Sequence, residues 1–134
     1  MQARSPFITA DWLAEHGACA TQVETVAREF PAGERLTHES LARCAEVGLG
    51  ILWIAETALT EDGLATCKEM MRAANEKYGK ARRVAISQLA ADREAGIEDA
   101  KPRCREALKP HDLELRRVLA RSIMDAAQIH GWRI

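Results

Sequence analysis

One stretch constrains the fold of this chain more than any other. Behind Thr60, Glu61 and Asp62, the residues Leu64, Cys67, Met71, Ala74, Tyr78, Ala81 and Ala85 recur at alternating spacings of three and four. That alternation puts every one of these side chains on a single stripe of an α-helix, a seam that needs a second helix to cover it. Thr60 can cap the helix, and the two acids after it suit the positive end of its dipole. Strand signals are nearly absent: aromatic residues make up 4% of the chain, and no stretch alternates apolar and polar residues between turns. The expected class is all-α, a compact bundle of short N-terminal helices followed by a long, hairpin-like helical C-terminal half.

Helix punctuation fills in the order. Thr9 can cap a short helix holding Trp12 and Leu13, which Gly17 closes. A second helix is expected from about Ala20 to Phe30, with Val23, Val26, Ala27 and Phe30 inward, before "PAG" stops it. Thr37 reads as the cap of a third, with Leu41, Cys44 and Ala45 on one face. "ILWIAETAL" is apolar on nearly all sides and is expected as a short central helix. Beyond Ala85 the seam ends at polar Gln88 and Asp92, and a second stripe of Ile86, Ala90, Ile97, Ala100, Cys104 and Ala107 or Leu108 takes over. Either one long helix rotates its buried face there, or the chain turns near Gly79 or Gly96. Pro102 predicts a break or kink near Lys101. A final helix opens at "KPHDLELRR", with Leu115, Val118, Leu119, Ser122, Ile123, Ala126 and Ile129 inward and Gly131 closing it. Glu76 with Lys80, Asp99 with Arg103 and Asp112 with Arg116 are acid-before-base pairs four apart.

The 134 residues make one ordinary domain, in which we distinguish an acidic short-helix module, 1–59, from a basic long-helix region, 60–134. The formal net charge is -1, yet residues 1–65 hold 4 Lys/Arg against 10 Asp/Glu while residues 66–134 hold 15 against 10. The near-neutral total excludes a general attraction to nucleic acid or lipid; the split leaves room for a local one. The longest apolar run, Leu49 to Ala55, is too short to span a bilayer, so no membrane association is expected. "MQARSPFITADW" has no apolar core or small-residue cleavage pattern, so we expect no signal peptide and a cytoplasmic location. Cys19, Cys44, Cys67 and Cys104 lack any C-x-x-C spacing and are expected as reduced, buried fillers.

Three groups of residues could carry a function. His16 and Cys19 offer two metal ligands, but a site needs three or four, and folding would have to bring in Cys44 or His38. The expectation is no metal and no cofactor, with His16 in a last helical turn and Cys19 buried. A cysteine nucleophile needs a histidine in reach; His16, His38, His111 and His130 are the candidates, none in a recognisable signature, and no phosphate loop or G-x-S-x-G is present. We therefore expect no enzyme. The basic cluster Lys77, Lys80, Arg82 and Arg83 could meet phosphates or an acidic protein surface, against a plain solvated helix face. Of the tryptophans, Trp53 belongs to the apolar block, whereas Trp132 either docks back on the bundle or stands out as a partner anchor.

The layout "DWLAEHGAC" followed by "QVETVAREFPAGERLTHESLARCAEVGLGILWIA" resembles a module found at the start of small proteins from phages and other mobile elements. It covers about Ile8 to Ala55, most specifically His16-Gly17-Ala18-Cys19, Gly48-Leu49 and Trp53-Ile54-Ala55. The resemblance implies a phage-like or accessory origin and carries over no functional residue. With elimination of catalytic motifs, it implies a non-enzymatic protein that binds a host or phage protein complex, as an anti-CRISPR inhibitor does. The alternatives are a nucleic-acid-associated regulator using residues 77–83, and a self-associating structural protein, a homodimer paired through Leu64, Met71 and Tyr78.

Overall fold

A computed structural model describes residues 5–133. The first four residues of the stretch behind the no-leader expectation lie outside them. Within the described residues the chain forms seven helices and one two-stranded ribbon. The short segments come first. Strand β1, Phe7–Ile8, pairs antiparallel with β2, Glu34–Arg35, in the register Phe7 to Arg35 and Ile8 to Glu34. Between them lie α1, Ala10–Glu15, and α2, Ala20–Glu29. Thr9 caps α1 by accepting from the Trp12 N–H at 2.9 Å, and Gly17, at φ 84°, takes the left-handed turn that a side chain would resist.

Helix α3, His38–Glu46, opens with a capping box: the Ser40 N–H donates to Thr37 Oγ1 at 3.0 Å, and the Thr37 N–H to Ser40 Oγ at 2.7 Å. It buries Leu41, Cys44 and Ala45. Helix α4, Ile51–Ala58, is the expected central helix, with Ile51, Ile54, Ala55 and Ala58 buried and Leu52 left 49% exposed. Its first turn has no capping side chain of its own; Gln22 on α2 accepts from the Gly50 N–H at 2.7 Å instead.

The seam spans two helices, α5, Glu61–Met70, and α6, Arg72–Glu94, broken at Met71. Thr60 caps α5 through the Gly63 N–H at 3.0 Å. The chain reverses at Gly96, not Gly79, and returns as α7, Ala100–His130. Pro102 therefore falls in the first turn of α7, where no helical acceptor awaits an N–H. The separate final helix is not observed: α7 runs through Pro110. A proline there frees the carbonyl of Glu106, and because both residues are exposed, solvent can take the missing donor's place.

Two parts of α7 do different work. Its last turns pack on α3, α4 and α5, and Ala120, Ile123, Ala126 and Ala127 join residues from Ile8 to Cys67 in one apolar core. Its earlier turns lie along α6, and no residue of the core cluster falls between Arg72 and Leu119 other than half-buried Leu119 at its edge. The α6–α7 pair is thus an antiparallel arm outside the core; at 23 residues α6 is about 34 Å long. Small seam residues let the helices approach closely: the Cys104 thiol lies 3.7 Å from the Ala85 carbonyl. The seam continues through Asp92, which is buried and accepts from the Gln88 amide at 2.8 Å, whereas Ile86 and Ala90 of the anticipated second stripe are exposed.

Candidate functional site

The arm gathers most of the residues singled out in the sequence. Tyr78 on α6 faces Asp112 on α7, and that carboxylate, as a hydrogen-bond partner for the neutral phenol, holds its pKa above the ordinary value. Beside it Lys77, Tyr78, His111 and Glu114 rim a cleft of about 190 Å³ floored by Ala74, Leu115 and Val118. On the arm's other flank Leu52, Leu64, Cys67, Met71, Leu115 and Leu119 line an apolar cleft of about 200 Å³. Leu64, Met71 and Tyr78, the residues considered for pairing between chains, therefore face α7 of the same chain.

The basic cluster is divided. Successive residues of a helix are turned by about 100°, so Lys77 and Lys80 fall on the flank of the Glu114 cleft, Arg82 on the other, and Arg83 on the outer face of α6 between them. All four are exposed. The Arg83 guanidinium lies back towards Gly79, and Arg82 is close enough to act on the Tyr78 phenol together with Asp112. What the sequence reading missed is that α7 adds Lys101, Arg105, Lys109 and Arg116 to the Arg82 flank. The signal was present in the basic excess of the second half, but it became a surface only once the turn at Gly96 set the two helices side by side.

Trp132 docks on the bundle, 9% exposed, as the first of the two placements considered for it. It bridges to Leu59, and the Arg133 N–H donates to the Ala58 carbonyl at 2.7 Å. Trp132 thus offers a partner little surface. Ile129, expected inward, is 62% exposed, because the reversal at Gly131 lets Trp132 cover the core in its place.

Three of the four histidines have partners other than a cysteine, and His111 lines the Glu114 cleft. His16 stacks on Trp12 with ring centroids 4.3 Å apart, and its Nδ1 lies 2.7 Å from the Trp12 carbonyl. His38 lies 3.5 Å from Asp125, and His130 lies 2.8 Å from the Thr66 hydroxyl. Cys19 is exposed rather than buried, because as the cap residue of α2 it turns its side chain outward. Cys44 and Cys67 are buried as expected, while Cys104 is half-buried in the arm. Among the described residues no three His, Cys, Asp or Glu side chains converge as metal ligands, and no helix is long and apolar enough to cross a membrane.

No protein-family model matches the chain, and no curated protein and no solved structure matches it significantly.

Proposed function

We propose that this is a non-enzymatic interaction protein of phage or mobile-element origin, acting in the bacterial cytoplasm by occupying a surface of a host protein complex, as an inhibitor of a defence system of the anti-CRISPR kind does. The observation that carries the reading is the arm. Ordering its residues costs about 1–2 kcal/mol each in backbone entropy, yet it adds little to the core and leaves Val84 and Ile86 at 70% and 47% exposure. Exposed apolar side chains on a projecting, positively charged element are the composition of a contact surface. The partners of His16, His38 and His130, none of them a cysteine, support the non-enzymatic half of the reading.

The test is affinity purification of the tagged full chain from a bacterial host at physiological salt. Its control is a chain lacking residues 82–88 and 101–107, one heptad from each facing helix, which shortens the arm while keeping its seam in register. We expect a defined host protein with the full chain and its loss with the shortened one. Recovery of no specific partner, or equal recovery by both chains, would sink the reading.

A further inference from the structure

We propose that the Arg82 flank of the arm is a docking surface for the phosphate backbone of duplex nucleic acid. Arg82 and Arg93, eleven residues apart and so on one face of α6, share this flank with Lys101, Arg105, Lys109 and Arg116 on α7, all of them exposed. From Lys101 to Arg116 the flank runs about 22 Å along α7, which matches six or seven base pairs at the duplex rise of about 3.4 Å.

The acids do not cancel this surface. By the helical period Asp112 also falls on this flank, where it accepts from the Tyr78 phenol and keeps its charge, but the six cations outnumber it. Glu106 pairs with Lys109 at 2.7 Å, but both side chains are more than two-thirds exposed, and such a pair exchanges readily for a phosphate. Arg116 also approaches the Ala45 carbonyl at 3.5 Å, which holds it at the base of the arm without neutralising it. The opposite flank is compensated more fully: Glu114 sits with Lys77 at the cleft, and Asp99 takes Arg103 at 3.1 Å.

The chemistry of the flank selects among polyanions. Four of its six cations are arginines, whose planar guanidinium groups fit phosphate oxygens in pairs. Its ligands lie along a rod rather than around an apolar centre; Ile86 is its single large exposed apolar side chain. Tyr78 is the only Phe, Tyr or Trp of the arm and is turned to Asp112, so no ring is free for unstacked bases. A regularly charged duplex backbone, read without sequence preference, fits these features better than a single strand or an acidic protein.

The inference rests on reading the arm as a contact element. Fluorescence anisotropy with a labelled 24-base-pair duplex of arbitrary sequence, titrated from about 20 mM salt upward, tests it. With four to six phosphates engaged, log affinity should fall against log salt with a slope of about -4 to -5. Arg82→Gln with Arg105→Gln should weaken binding about tenfold or more and flatten the slope by about 2, while Lys77→Gln with Lys80→Gln, the same charge change on the other flank, should leave affinity within about twofold. No binding at low salt, equal loss in both double variants, or tighter binding of a single strand of the same length would overturn the proposal. Flank-dependent binding of poly-glutamate as tight as that of the duplex would overturn it in favour of an acidic protein. Duplex binding without any host protein recovered would leave this proposal standing and remove the protein-partner reading; a protein recovered through the arm without duplex binding would do the reverse.

Discussion

Cys44 and Cys67 sit where a thiolate cannot be solvated. Burial is the main cause that raises each thiol from 9.0 to about 11, and beside Cys44 the charge of Glu34 adds to it. Because the folded state holds these protons more tightly than the unfolded chain, their contribution to stability is complete below about pH 9 and is lost as pH rises towards 11. The urea midpoint should accordingly fall steeply between pH 9 and 11, and a Cys44→Ala, Cys67→Ala chain should show a shallower fall from a lower starting stability. A slope unchanged in that variant would place the alkaline sensitivity elsewhere. Single residues were also where the sequence misled most simply. Cys19 and Ile129 have the composition of core residues, but one is a helix cap and the other precedes a chain reversal, and both are exposed.

Pro110 divides α7 at the level where Gly79 stands on the facing helix, since Tyr78 meets Asp112 and His111 across the pair. One helix lacks a hydrogen bond and the other has its most pliable residue at the same height, so bending of the arm concentrates there. Pro110→Ala should restore the bond to the Glu106 carbonyl and stabilise the chain by about 1–3 kcal/mol, seen as a raised thermal midpoint. A lowered midpoint would mean that the bend itself is needed for packing. The helices that carry local signals were legible: Thr9, Thr37 and Thr60 each cap where expected, and the Leu64–Ala85 seam is the one that α7 covers. The arm's turn was not, because Gly79 and Gly96 are equally good interruptions on paper. What separates them is tertiary: turning at Gly96 lets the seam run on to buried Asp92 and brings Ala85 against Cys104. The flank of Arg82 and Arg105 was hidden for the same reason, as its members come from segments that only the turn brings together.

At the scale of the molecule, residues up to Cys67 and after Leu119 build one core, and the long arm between them is an excursion from it. Trp132 closes that core against Leu59. Trp132→Ala should cost about 3–5 kcal/mol and shift the unfolding monitored by Trp12 and Trp53 fluorescence together with that monitored by far-UV circular dichroism. Separation of the two curves would instead show that the N-terminal helices and the arm melt independently. The closed core also sets an order of events in time. During synthesis at about 5–20 residues per second, roughly 3 to 13 s separate Cys67 from Trp132. For that interval the early helices have emerged without Ile123, Ala126, Ala127 and Trp132, so their apolar faces stay open to chaperones and proteases, and this core closes only once those four residues have left the ribosome.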